Sequence, residues 1–298
     1  MVVNYKANGK LLLTSEYAIT QGAKGLAVPT KYGQNLNYTS SDEGRYIRWN
    51  AKGENGETWF WAEFDLDLKI IDTSDHRVAL TLVKHLDVIQ HKTALLDKPG
   101  IFTTLLEFPT EWGLGTSSTL VSLLAQCAEV DPLTEFRLAH GGSGYDLACA
   151  TAQTPIIYQL EGSTPIIKTA SINFDFSDDL GFVYSGNKQL TAESLDLVEK
   201  KPFLQKQIER FDDLTHAFLN SSSVLELEEV IMEHECLVSE HLNLPKVKET
   251  MLSGFPGQAK SLGGWGGDFV LITRLNTSKN WLSDHGFNVV FPFKDLVL

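Results

Sequence analysis

Pro109-Thr110-Glu111-Trp112-Gly113-Leu114-Gly115-Thr116-Ser117-Ser118 runs without a break into Thr119-Leu120-Val121-Ser122-Leu123-Leu124-Ala125-Gln126. An apolar, β-rich run from Ile101 to Phe108 precedes it and a helical pattern follows, so the order is strand, glycine loop, helix. The first N–H groups of a helix lack partners within it, and the macrodipole makes that end positive, so such a junction suits an anion. Gly113 and Gly115 have no Cβ to hold a ligand off the backbone. Thr116, Ser117 and Ser118 add hydroxyls able to bind phosphate oxygens or Mg²⁺. Glycine-rich helix starts also serve as plain turns, and that structural reading stays open at this point. The run lacks the Gly-Lys-Ser/Thr ending of a Walker loop and the third glycine of a dinucleotide fingerprint, which sets both classes aside.

A chain of 298 residues makes one large domain or two ordinary ones. Hydrophobic residues are 43% and prolines only 10, so a sizeable core can form. The net charge of −13 disfavours nucleic acid or an anionic membrane as partner. Any phosphate site must therefore be positive locally, built from backbone dipoles, a few lysines and bound metal. Cys127, Cys149 and Cys236 are odd in number and far apart, and read as reduced thiols within helices. No stretch approaches the roughly 18 apolar residues of a membrane span. The amino terminus lacks the pattern of a signal peptide, and a cytoplasmic location is expected.

In chain order, strands are expected at Val2–Asn4 and over Leu11–Leu13 with Tyr17–Ile19, with Asn8-Gly9-Lys10 as a turn between them. More β pattern covers Leu26–Pro29, Asn35–Thr39, Tyr46–Asn50 and Glu57–Asp65. Trp59 and Trp61 in the last suit a half-buried strand, with a base-stacking wall as the alternative. Ser74–Lys92 reads as the first long helix, with His85 as a tolerated surface or edge residue. A second chemical cluster joins Glu135 to His140-Gly141-Gly142-Ser143-Gly144-Tyr145-Asp146, in which Asp146 opens a short helix and by position alone is a capping residue. Pro155–Leu160 and Pro165–Lys168 look like a hairpin.

After about Lys168 the character changes to a strand (Gly181–Ser185) and three or four helices over Ala192–Leu252, which argues for an α+β arrangement. Lys201-Pro202 and Leu244-Pro245 mark helix boundaries. Glu233, His234, Glu235 and His241 invite a metal reading, but the spacing is wrong for paired ligands and a solvated helical face is expected. A third cluster, Lys260-Ser261-Leu262-Gly263-Gly264-Trp265-Gly266-Gly267-Asp268, precedes the strand Phe269–Thr273. Four glycines in five positions exceed what a turn needs and imply close backbone approach to a ligand or another loop.

Gly9-Lys10 through Glu16-Tyr17-Ala18, then Pro109 with Gly113 to Ser118, then Ser143-Gly144-Tyr145-Asp146, and last Lys260 with Gly263 to Asp268 resemble the ordered motifs of the GHMP small-molecule kinases, over nearly the whole chain. That family includes galactokinase, homoserine kinase, mevalonate kinase and phosphomevalonate kinase. Glu16-Tyr17 and the closing Gly-Gly-Asp resemble phosphomevalonate kinases more than mevalonate kinases, and the Gly-Tyr-Asp element is similar to a bacterial subgroup. The resemblance implies an α+β, two-domain fold: an S5-like, nucleotide-binding domain over 1–168 and a ferredoxin-like domain over 169–298, with the active site in the cleft between. It implies ATP and Mg²⁺ as cofactors, with Gly113, Leu114, Gly115, Thr116, Ser117 and Ser118 around the triphosphate. Ser117 and Glu135 would hold the metal, Asp146 would be the general base, and Lys10 the cation beside it. Glu16, Ser143, Gly144, Lys260, Gly263 and Gly264 would form the acceptor site. The implied reaction is phosphorylation of 5-phosphomevalonate, or alternatively mevalonate, by a monomer or homodimer with no nucleic-acid or membrane partner.

Departures from the family pattern are Asn8 for proline, Ser15 for glycine, Thr116 for serine, Ser118 for alanine and Trp265 for glycine. None removes a reacting group. Trp265 and Ser15 would narrow the acceptor end, and Lys6, Lys10 and Lys260 are the cations available to a phosphorylated acceptor. A silent GHMP-fold binding protein is the alternative from another class, and a decarboxylase of the same fold a third.

Overall fold

A computed structural model describes residues 2–41, 44–186, 201–265 and 267–298. Two compact units are present: residues 1–9, 32–110 and 114–151 form the first, and residues 10–31, 111–113 and 152–298 the second. Residues 10–31 and 152–168, amino-terminal of the boundary expected at 168, thus fall in the second unit.

The strands of the first unit include β3 (Ile47–Lys52), β4 (Thr58–Phe64), β5 (Ile70–Thr73) and β6 (Gly100–Leu106). They follow the order β5-β4-β3-β6, with β6 also pairing Gln34–Ser40 of β2 (Gly25–Ser40). All neighbours are antiparallel except β3 and β6. In β4 the alternation has its structural meaning: Phe60, Ala62 and Phe64 point into the core while Trp59 is 47% exposed. Trp49 stacks on Phe102 at 5.3 Å, so the aromatic-rich pattern is largely core.

The sheet packs on helices α1 (His76–Ile89) and α2 (Thr116–Ala128), followed by the short α3 (Pro132–Glu135), α4 (Arg137–His140) and α5 (Tyr145–Thr151). Asp75 caps α1 by accepting from the N–H groups of Arg77 and Val78. His85 is a correction: it is only 5% exposed, because it occupies the same stripe as Leu82, Leu86 and Ile89.

In the second unit Gly25–Ala27 of β2 pair with β7 (Ile156–Glu161), which makes the expected hairpin with β8 (Thr164–Thr169). A separate antiparallel sheet has the order β10 (Ala259–Ser261), β11 (Phe269–Ile272), β9 (Gly181–Tyr184), β12 (Val290–Pro292). With α6 (Gln205–Asn220) and α7 (Val224–Leu242) after β9, and α8 (Leu275–Asp284) between β11 and β12, this is the ferredoxin-like arrangement. A last short helix, α9 (Phe293–Leu296), follows. The fold is therefore α+β and built on two sheets, as expected.

Three local expectations change. The turn at Asn8-Gly9-Lys10 does not form: β1 (Val2–Leu12) runs straight through it, alternating up to Ala7 and then covered on both faces through Gly9. Tyr17–Ile19 is not strand; a 3-10 turn covers Ala18–Gln21. Leu26–Pro29 and Asn35–Thr39 are one strand, β2, in which Gly33 lets Ala7 approach: a Cβ there would lie 2.1 Å from the Ala7 carbonyl oxygen. The part of the helical expectation over 192–200 lies outside the described residues. Cys127, Cys149 and Cys236 are thiols in helices, not joined in disulfides among the described residues, and burial pushes Cys127 up to about 12.

Candidate active site

The helix start of the glycine loop is built as a cradle. Gly115 takes a left-handed backbone (φ 94°, ψ 49°), and no side chain caps α2. Its first turn is held from behind: Ser118 Oγ donates to the Gly115 carbonyl at 2.9 Å, and Thr119 Oγ1 donates to Gln34 Oε1 at 2.7 Å. Ser118 is buried, as is Leu114, whereas the Ser117 hydroxyl is exposed. The serines thus divide the work: one braces the turn, the other faces outward.

Thr116 and Ser117 border a cavity of about 270 Å³ in the first unit, walled by Trp49, Trp59, Phe60 and Leu120. His85 lines it too, with neither ring nitrogen hydrogen-bonded. Burial, and secondarily His140, push His85 below the usual imidazole range, so it is neutral at pH 7. An apolar, aromatic-walled cavity next to an anion-binding helix start suits a flat base attached to phosphates.

Asp146 lies in the first turn of α5, and its Oδ2 is 2.8 Å from His140 Nε2. Glu135 ends α3 and takes an ion pair from Lys92, with its side chain 32% exposed. Ser143 is buried, and its Oγ accepts from the Tyr145 N–H at 3.4 Å. A Cβ on Gly144 would come within 3.0 Å of Leu133, so glycine there permits close packing. Among the described residues no group of three His, Cys, Asp or Glu side chains is arranged to hold a metal. Ser117 and Glu135, the two residues expected to hold Mg²⁺, carry hard oxygens of the kind that ion takes, and in this structure the Glu135 carboxylate is paired with Lys92.

In the second unit two distant motifs meet at Gly113. Lys10 Nζ donates to the Gly113 carbonyl at 3.2 Å. From the other side comes Asp268: a Cβ on Gly113 would lie 2.1 Å from its Oδ2, and Gly113 also has φ 66°. Gly263 (φ 75°) passes the same carboxylate, at 3.5 Å for an added Cβ, and Gly264 accepts from the Gly267 N–H at 2.9 Å. Gly266 is outside the described residues.

Glu16 and Lys260 are brought together, but deep inside. Lys260 Nζ donates to Glu16 Oε1 at 2.6 Å and to the Ser261 carbonyl, with side chains 1% and 4% exposed. His234 and Glu235 complete the cluster: His234 Nε2 accepts from the Ser15 N–H at 2.8 Å, and Glu235 Oε1 accepts from the Ser261 N–H at 3.2 Å. Burial raises Glu16 above the usual carboxylate range and lowers His234 well below the imidazole range. Glu235 is pushed up to about 8 by burial, against the pull of Lys260 and with a further push from Glu16. The solvated face expected here is therefore corrected for His234, Glu235 and His241, which are 1%, 2% and 8% exposed, while Glu233 stays outside on Arg210.

Ser15 and Trp265 also serve the interior. Ser15 (φ 64°) is fully buried and its Oγ donates to the Lys24 carbonyl. Trp265 packs with Phe211, Val238 and Leu242, donating from Nε1 to the Pro245 carbonyl at 2.9 Å. Sequence reasoning missed His140 as the partner of Asp146. The available signal was three glycines in the five residues between them, enough to bring the ends of a short loop together.

No protein-family model matches the chain, and no curated protein matches it in sequence. Solved structures do match in shape. The Methanococcus jannaschii mevalonate kinase aligns with TM-score 0.71 at 15% identity, covering 98% of this chain and 96% of its own. The Streptococcus pneumoniae phosphomevalonate kinase, solved with phosphomevalonate and AMPPNP, aligns with TM-score 0.71 at 16% identity, covering 97% and 99%. The Lactococcus lactis galactokinase, solved with galactose, aligns with TM-score 0.62 at 11% identity, covering 95% and 88%. The chain has the GHMP kinase fold over nearly its full length.

Proposed function

We propose that this chain is an ATP- and Mg²⁺-dependent small-molecule kinase of the mevalonate route. The supporting observation is the Gly113–Ser118 junction: left-handed glycines, an uncapped helix start and an adjacent aromatic cavity in one segment. The division into a nucleotide-binding domain over 1–168 and a second domain over 169–298 belongs to the same proposal.

The backbone of 113–118 binds the triphosphate, and the aromatic cavity takes the base. Ser117 and Glu135 are the metal ligands. ATP supplies the γ-phosphoryl group, and Mg²⁺ shields its oxygens. Asp146 takes the proton from the substrate hydroxyl as that oxygen bonds to the γ-phosphorus and the bond to the leaving ADP oxygen breaks. Lys10 neutralises charge at the reacting centre. Ser143, Gly144, Gly263 and Gly264 border the acceptor, while Glu16 and Lys260 hold that region from within.

The acceptor is 5-phosphomevalonate on the motif resemblance. One observation favours mevalonate as the second reading: two of the three candidate cations are already paired, Lys6 with Glu107 and Lys260 with Glu16. A phosphorylated acceptor requires charge that mevalonate does not. ADP release measured with each acceptor separates them, and turnover with galactose or homoserine alone would eliminate both. Asp146→Asn is expected to fold normally and to lose about 10²–10⁴-fold in kcat. Near-native turnover in that variant would assign the base elsewhere.

A further inference from the structure

We propose that His140 is a positioning residue for Asp146, donating from Nε2–H to Oδ2 and so fixing how the carboxylate meets the substrate hydroxyl. This rests on the reading of Asp146 as the base.

The first support is the contact itself, 2.8 Å long, with the His140 side chain 9% exposed and that of Asp146 22%. An ionised carboxylate only accepts, so Nε2 must carry the proton in this pair. Hydrogen bonds to an ionised group are roughly twice as strong as neutral ones, and shielding from water preserves that strength.

The second is what the backbone does to make the contact. Gly141, Gly142 and Gly144 all take positive φ, at 84°, 73° and 88°. A substituent at Gly141 or Gly142 would meet nothing within 4 Å, so steric packing does not require glycine at those two. Their left-handed backbone does, because it folds the chain back within six residues. The turn brings the end of α4 to the start of α5, where the two side chains meet.

The third is the setting of the imidazole. His85 on α1 stands 6.3 Å from His140, ring centre to ring centre, and is itself neutral. The ring therefore sits between a buried uncharged neighbour and a carboxylate.

The test uses the full chain. Ring ¹⁵N–¹H correlation spectra at pH 7.5 are expected to show His140 protonated at Nε2, with that preference lost in Asp146→Leu. Kinetically, His140→Phe is expected to lower kcat about 10- to 100-fold while the KM for ATP stays within about twofold. Loss of the N–H donor disfavours the ionised carboxylate, so the acid limb of kcat/KM moves to higher pH. His140→Gln keeps an N–H donor and recovers most of both quantities. If the phenylalanine variant does not fold, His140→Asn, whose shorter amide falls short of Asp146, carries the same expectation.

A ring protonated at Nδ1, or a folded Phe or Asn variant with unchanged kcat and acid limb, overturns the inference. Asp146→Asn run alongside separates the two failures. If it is inactive while the His140 variants are not, only the positioning role falls. If it is active, or the wild-type chain turns over no acceptor, the base assignment falls and the positioning role with it.

Discussion

At the scale of single residues, Glu235 is a group whose surroundings oppose its ordinary charged state. It shares a dry interior with Glu16, Lys260 and the neutral His234. One ammonium cannot balance two carboxylates there, and the pKa of about 8 says that Glu235 keeps its proton at neutral pH. Its folded pKa lies above the unfolded value of about 4.3, so the native state holds an extra proton between the two. The stability this contributes is full below about pH 4.3 and is lost as pH rises through 8. Glu235→Gln imitates the protonated form and is expected to melt several degrees above wild type at pH 8.5, the two curves converging near pH 4. Parallel curves in a melting series from pH 4 to 9 would refute this. At Gly113 the expectation is steric instead: in Gly113→Ala the new methyl meets Asp268 and φ is left-handed, so ATP affinity should fall at least tenfold with the fold retained. Equilibrium binding of a fluorescent ATP analogue measures it.

At the scale of elements, residue type misled where spacing did not. In α7 the stripe set by Leu227, Ile231, Val238 and Leu242 runs at helical period and passes through positions 228, 234, 235 and 241. Read for periodicity alone, those polar residues belong inside. Read for type, they belong in water, and their buried partners on other segments (Ser15, Ser261, Thr273) could not be known from a helix in isolation. His85 on α1 was legible in the same way. The strand–loop–helix at 101–128 was fully legible because each part has a local cause: β-branched alternation, glycine, then helical period. Strand β1 was not, since Gly9 looks like a turn until Gly33 is seen to admit the neighbouring strand. The start of α1 allows a check on local causes. Asp75 is held below the usual carboxylate range by the N–H groups of Val78 and Arg77, so its contribution is present above the unfolded pKa and disappears as pH falls through the folded one. Asp75→Ala should lower the melting temperature measurably at pH 7, with a deficit that shrinks as pH falls below the ordinary carboxylate range; a deficit independent of pH would mean the cap acts through packing rather than charge.

At the scale of the whole molecule, the difficulty for the proposed function is that it asks a chain of net charge −13 to bind a polyanion. Motif order was enough to foresee the α+β architecture, because three glycine-containing segments in register constrain a topology more than any one of them. It was not enough to show where charge would be neutralised. Within the first unit the fixed positive potential at the loop is the open end of α2, whereas Lys92 is spent on Glu135 and its neighbour Thr93 bonds the Cys127 carbonyl at the other end of that helix. Nucleotide binding should therefore depend strongly on a divalent ion, more than in a site lined by free arginines or lysines. Ligand at about 100 times its Kd adds roughly 2.7 kcal/mol to stability, which for a chain of this size is a rise of roughly 4 °C. With a nonhydrolysable ATP analogue and Mg²⁺, a shift of that order is expected in thermal melts, and replacing Mg²⁺ with EDTA should remove most of it. Ser117→Ala should reduce the Mg²⁺-dependent part while leaving the melting temperature of the ligand-free protein near wild type, since the Ser117 hydroxyl is exposed and Ser118 braces the turn. An equal shift with EDTA would move the neutralising role from the ion to the protein's own cations. No shift under either condition would remove ATP from the proposal, and a Mg²⁺-dependent shift without ADP release on either acceptor would identify the chain as a nucleotide-binding protein that has kept the fold and lost the transfer.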